Sequence, residues 1–169
     1  IHDHEPHEDL TVAEILIESS NIGIFKIADI VGAHNMYKFS KKYGFGSKSG
    51  IELPNESSGS LKEFKDWDWL SNNSIAIGQE MSATTLQTTL AYSVIANGGY
   101  LLKPTILKNI DGFDISSGPS VIRRVIDKDT ANKMADVLIS AVEDGTGTNA
   151  HINGYDIAGK TGTAEKFID

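Results

Sequence analysis

Two short stretches near opposite ends of the chain decide how it is read: Ser19-Ser20-Asn21 and Ala158-Gly159-Lys160-Thr161-Gly162-Thr163-Ala164. Each alone is ambiguous. Ser and Asn favour helix ends, where their side chains accept hydrogen bonds from free backbone amides. A lone Lys-Thr-Gly run fits a solvent-facing strand that ends in a turn. Taken together they place hydroxyls, a carboxamide, an ammonium and a glycine at opposite ends of the chain. Only a tertiary fold can unite them, because nearly the whole chain lies between. The segment from Tyr155 to Ala164 alternates well enough to predict a strand whose small residues leave room for another backbone.

Working outward, Thr11 and Glu14 form a capping box ahead of the apolar stripe Val12, Ile15 and Leu16, which predicts a helix from Thr11 to about Ser19. After the polar break at Ser19-Ser20-Asn21, Ile24, Ile27, Ala28 and Val31 repeat at helical spacing up to Gly32. Met36, Phe39 and Tyr43 predict a third helix closed by Gly44 and Gly46. Residues 47–73 turn to Gly, Ser, Pro, Asn and acids, a long connection with one short strand expected at Ile51-Glu52-Leu53 and with Trp67 and Trp69 as its anchors. Thr84 or Thr85 caps a helix through Leu86, Leu90, Val94 and Ile95 that stops at Asn97-Gly98-Gly99. Tyr100 to Ile110 and Val121 to Ile126 read as strands or extended arms. Asp127 or Asp129 opens a helix whose face Ala131, Met134, Ala135, Leu138 and Val142 runs to Gly145.

Composition narrows the function classes. The 169 residues carry 15 Lys+Arg against 23 Asp+Glu, a net charge of −8 that argues against nucleic acid as a partner, since phosphate binding needs clustered cations. There is no Cys, which excludes disulfides and thiolate metal sites. No run approaches the ~18 apolar residues of a membrane span. The chain opens at Ile1 and closes just after the Gly-rich motif, and it is expected to be a piece of something longer, a single partial domain over residues 1–169.

The order of eight segments carries a family resemblance. Ile1-His2-Asp3-His4-Glu5-Pro6-His7, Ser19-Ser20-Asn21-Ile22-Gly23, Tyr43-Gly44-Phe45-Gly46, Gly50-Ile51-Glu52-Leu53-Pro54, Ala76-Ile77-Gly78-Gln79, Ala96-Asn97-Gly98-Gly99, Gly145-Thr146-Gly147-Thr148 and Ala158 to Ala164 follow one another. In this order the chain resembles the transpeptidase domain of class B penicillin-binding proteins, of the cell-division and elongation type. The resemblance implies an α+β, β-lactamase-like transpeptidase fold, present here as a mostly helical portion with the Lys160-Thr161-Gly162 strand and an incomplete sheet. It implies a peptidoglycan D,D-transpeptidase, a serine acyltransferase that cross-links stem peptides ending in D-Ala-D-Ala and is acylated by β-lactams. It also implies anchorage at the bacterial cytoplasmic membrane with the domain on the extracytoplasmic face, and a polytopic membrane glycosyltransferase as partner. No metal or organic cofactor is implied.

By the same resemblance Ser19 shuttles a proton toward the leaving group, and Asn21 orients the substrate amide or the lysine of the nucleophile. Lys160 sets the field around Ser19 and attracts the terminal carboxylate. Thr161 and Thr163 offer that carboxylate their hydroxyls, the Thr163 amide forms half of an oxyanion hole, and Gly162 lets the acyl chain lie against the strand. The nucleophile is the departure. The family's S-x-x-K is absent, since no Lys in the chain has Ser three residues before it; the nucleophile is expected upstream of Ile1, and the chain alone is expected to be inactive. Two rival readings share these residues: a serine β-lactamase or β-lactam sensor, and a non-catalytic interaction module.

Other candidates are weaker. His2, His4 and His7 with Asp3, Glu5 and Glu8 miss the H-E-x-x-H spacing, and Pro6 interrupts a helix there, so a solvated loop is expected. Gly145-Thr146-Gly147-Thr148 lacks the lysine of a phosphate loop and reads as a rim of the active site.

Overall fold

The computed structural model describes residues 1–3, 6–114 and 118–162. These residues group into two compact units: one of residues 1–37, 63–80 and 133 onward, the other of residues 38–62 and 81–132.

The first unit is helical. Helix α1 (Val12–Ile17) starts on the expected capping box: Thr11 accepts from the Glu14 amide, and the Glu14 carboxylate accepts from the Thr11 amide. Helix α2 (Asn21–Val31) follows after three residues, capped by Ser20 and ended at Gly32, whose φ of 78° suits glycine. The two helices meet at Gly23, where any Cβ would stand 2.6 Å from Ile15 Cγ1. Helix α3 (Ala33–Tyr43) and the later α6 (Lys128–Glu143) each give part of their length to both units. Helix α4 (Ser71–Ala76) has no sequence signal, because beside Ile75 it buries three polar side chains: Ser71, Asn72 and Asn73. They point to specific acceptors, Asn72 Nδ2 to the Ala28 carbonyl (2.8 Å) and Asn73 Nδ2 to the Phe25 carbonyl (3.0 Å), which fastens α4 to α2. Ile15, Ala28 and Ile75, with Leu138, Ala141 and Val142 of α6, are the buried apolar side chains of this unit.

The aromatic anchors divide. Trp67 meets Tyr37 edge-on at 5.7 Å and Phe64 at 5.8 Å, while Trp69 is 87% exposed and anchors nothing. Tyr37 also donates to Glu63 (2.7 Å), so the later part of the connection is stapled to α3 by a ring cluster and one hydrogen bond.

In the second unit, helix α5 (Thr85–Ala96) begins on a capping box between Thr84 and Gln87, which places the cap at the first of the two candidate threonines. The strands are short antiparallel pairs: β1 (Ser60–Leu61) with β2 (Met81–Ser82), β3 (Tyr100–Leu102) with β6 (Val121–Arg124), and β4 (Asn109–Ile110) with β5 (Phe113–Asp114). Val94, Leu101 and Val125 form the core, with Tyr43, Leu90 and Ile126 packed on it. The expected strand at Ile51-Glu52-Leu53 does not form. That stretch is organised instead around the Glu56 carboxylate, which accepts from the Ser49 amide (2.6 Å) and hydroxyl (2.5 Å) and the Gly50 amide (3.1 Å). The buried Gln87 amide donates to the Ser47 and Ser58 carbonyls (2.9 and 2.8 Å), so side chains replace a ladder.

The predicted strand from Tyr155 also departs from expectation. Tyr155 bridges Ile152, but residues 156–162 join no ladder. Instead the Gly159 amide donates to the Leu138 carbonyl of α6 (3.1 Å), which sets this extended segment along the helix. A strand needs a neighbour to satisfy its amides and carbonyls, and none of the described residues offers one.

Candidate active site

Ser19 occupies a strained link. Glu18 still has α-helical angles as the C-cap of α1 and Ser20 is extended as the N-cap of α2, so Ser19 alone makes the reversal, at φ 58° in the left-handed region. That conformation is what turns its side chain toward Lys160. Across 141 positions of sequence, Lys160 Nζ donates to Ser19 Oγ at 2.6 Å. Lys160 also reaches the Thr161 carbonyl (3.2 Å) and hydroxyl (3.4 Å). Removal from water holds the Lys160 ammonium below the ordinary lysine range.

Behind these residues the Gly145-Thr146-Gly147 turn is tightly seated. A Cβ on Gly145 would lie 2.5 Å from the Ile17 carbonyl oxygen, and the Gly147 amide donates to Ala141. The turn thereby delivers the Thr146 hydroxyl to 2.9 Å from that of Thr161. Sequence reading named this turn as a rim but did not single out Thr146; the glycines on either side of one hydroxyl were the available signal.

The result is a cleft of about 430 Å³, entirely within the first unit. Ser19, Asn21, Thr146, Lys160, Thr161 and Gly162 provide its polar lining, and Ile24, Ala76 and Ile77 an aliphatic wall. Five sequence-predicted residues thus converge: Ser19, Asn21, Lys160, Thr161 and Gly162. The sixth, Thr163, lies outside the described residues, as do His4 and Glu5. A Cβ on Gly162 would have no atom within 4 Å, so the space beside it is open. Among the described residues no group of three His, Cys, Asp or Glu side chains is arranged to hold a metal ion, and Asp3 is instead bonded to Ser20.

Residues 1–169 as a whole match the profile of the penicillin-binding protein transpeptidase domain. The chain belongs to that family. Among its relatives, the penicillin-binding protein PbpB of Mycolicibacterium smegmatis is 35% identical over 167 residues, covering 93% of this chain and 26% of that protein. The probable peptidoglycan D,D-transpeptidase PbpC of Pseudomonas aeruginosa is 32% identical over 167 residues, covering 98% and 28%. Penicillin-binding protein 3 of Mycobacterium tuberculosis, solved in complex with ampicillin, superposes with a TM-score of 0.91 at 33% identity, covering 99% of this chain and 40% of that one. The transpeptidase-domain chain therefore spans about a quarter of the length of these curated relatives. The α+β class expected from sequence holds, in helices with small, incomplete sheets.

Proposed function

We propose that this chain is the shuttle-and-carboxylate side of the active site of a peptidoglycan D,D-transpeptidase, a serine acyltransferase whose nucleophile comes from a stretch outside these 169 residues. On this reading both compact units belong to one transpeptidase domain. The observation that carries the reading is the Lys160 Nζ to Ser19 Oγ hydrogen bond at the mouth of an open cleft.

The geometry suits the chemistry. With Lys160 donating to its oxygen, the Ser19 hydroxyl hydrogen is turned away from Lys160. In acylation the seryl oxygen bonds to the carbonyl carbon of the penultimate D-Ala and the C–N bond to the terminal D-Ala breaks. Ser19 gives its own hydroxyl proton to the leaving nitrogen and takes up the proton that leaves the seryl hydroxyl, while the Lys160 ammonium, donating to Ser19 Oγ, steadies the charge on that oxygen during the transfer. An acceptor amine then attacks the ester and the proton path runs in reverse. Asn21 on the same wall orients the substrate amide or the lysine next to the nucleophile. The terminal carboxylate lies by Lys160 and the hydroxyl of Thr161, which Thr146 orients, with Thr163 as a further donor. Gly162 leaves room for the acyl chain beside the backbone.

The proposal extends to anchorage at the cytoplasmic membrane with an extracytoplasmic active site, and to a membrane glycosyltransferase as partner. Among the described residues no helix is long and apolar enough to cross a membrane. Fluorescent penicillin tests the reading. It is expected to label the full-length protein covalently and not the 169-residue chain; covalent labelling of the chain alone would place the nucleophile within it and overturn the assignment.

A further inference from the structure

The turn that presents Ser19 is fastened from behind by a residue outside the cleft. One carboxylate oxygen of Asp3, on the N-terminal arm, accepts from the Ser20 hydroxyl (2.7 Å), and the other accepts from the Ile22 amide (3.1 Å). Ser20 is 3% exposed, and its oxygen also accepts from the Gly23 amide at 2.9 Å, so this one hydroxyl both caps α2 and ties it to Asp3. Beside it, the His2 carbonyl accepts from Asn21 Nδ2 at 3.4 Å. Burial opposes ionisation of Asp3, but hydrogen bonds from Ser20, Ile22 and Asn21, aided by the nearby His7, outweigh it and hold the carboxyl below its ordinary value. Asp3 is therefore an anion at neutral pH.

A buried hydroxyl with two fixed partners determines the backbone that carries it, and the residue just before is Ser19, in a conformation that residues with a Cβ avoid. Left unfastened, Ser19 would relax toward an ordinary backbone region and carry its Oγ away from Lys160.

We propose that Asp3 is a positioning residue for acyl transfer: acting through Ser20, it fixes the left-handed turn at Ser19 and so seats Ser19 Oγ on Lys160. The proposal rests on the function assigned to the cleft. It separates Asp3 from the cleft residues by making it act only through Ser19, and a double-mutant cycle reads that dependence directly.

The test uses the full-length protein and the second-order rate of acylation by fluorescent penicillin. Asp3→Ala is expected to slow acylation roughly 10- to 100-fold, as a small misplacement of a reacting group does. Asp3→Glu, which keeps the charge, should recover a large part of the rate. On a Ser19→Ala background the same Asp3→Ala change should cost less than about twofold, because nothing is left to position. Equal losses on both backgrounds, or no loss on the native one, would overturn the proposal. Should Asp3→Ala fail to fold, the near-isosteric Asp3→Asn carries the cycle. Full acylation of Ser19→Ala would instead sink the shuttle role. The latch is then decided by the crystal structure of the Asp3 variant: an opened Lys160 to Ser19 contact supports it, and a retained 2.6 Å contact refutes it.

Discussion

Replacing Ser19 by glycine and by alanine separates the chemical role of its hydroxyl from the conformational cost of its backbone. At φ 58° a residue with a Cβ bears roughly 1–2 kcal/mol of strain. Glycine is free of that strain but loses about 0.5–1 kcal/mol through its greater freedom in the unfolded chain. Ser19→Gly should therefore be more stable than Ser19→Ala by about 1 kcal/mol, or about 2–4 °C in melting temperature for a domain of this size. Both variants remove the 2.6 Å contact to Lys160. Hydrogen bonds to charged groups are worth about 1.5–3 kcal/mol, and the low end applies to a half-buried pair. Both also remove the proposed proton shuttle, for which a loss of about 10²–10⁴ in rate is expected. The two variants should thus share one acylation defect while differing in stability. Stopped-flow acylation and thermal melts of the full-length protein measure both quantities. Near-native acylation in either variant, or a glycine variant less stable than the alanine one, would refute the reasoning.

Two further outcomes follow from the same geometry. Burial places the folded pKa of Lys160 below its unfolded value of about 10.4, so between the two the unfolded chain binds more protons and stability rises with pH across that window. Lys160→Met should flatten this rise in melts followed toward alkaline pH, and should abolish the alkaline limb of acylation; an unchanged slope would show that Lys160 is not the group titrating. Gly23→Ala should cost about 1–3 kcal/mol, because its Cβ would meet Ile15 Cγ1 and Cγ2 at 2.6 and 2.7 Å and Ile15 is itself buried. A denaturant midpoint equal to native would mean that α1 and α2 separate freely.

Which features could be read ahead followed from how local their causes are. The helices announced themselves through caps and apolar stripes that act within a few residues, as Thr11 with Glu14 and Thr84 with Gln87 show. Helix α4 did not, because Asn72 and Asn73 are buried by virtue of acceptors on α2 more than 40 positions away, and no local pattern reports such partners. The short strand expected at Ile51 failed for the converse reason: alternation is only a licence to pair, and the flanking residues are committed elsewhere, the Ser49 and Gly50 amides to Glu56 and the Ser47 and Ser58 carbonyls to Gln87. Within the cleft, Ser19, Asn21 and Lys160 were legible through motif order. Thr146 and Asp3 were not, since each works through a neighbour's hydroxyl that only the fold brings near.

On the proposed reading, one lysine serves two purposes in the cleft. Its described lining contains one cation and no carboxylate, so the Lys160 charge is met by a hydroxyl rather than cancelled by an ion pair. An ammonium held in that way is already disfavoured by burial and donates to Ser19 more strongly than a solvated lysine would. When a carboxylate enters, the opposite charge favours the protonated form and raises the same pKa. On the proposed reading both purposes meet on one nitrogen: the docked carboxylate favours the charged form, which donates to Ser19 throughout the proton transfer, and departure of the terminal D-Ala carries that carboxylate away and lets burial disfavour the charge again. A carboxylate partner built into the wall would have fixed the charge permanently and removed this alternation, which is a physical reason for lining the site with the hydroxyls of Ser19, Thr146 and Thr161 instead.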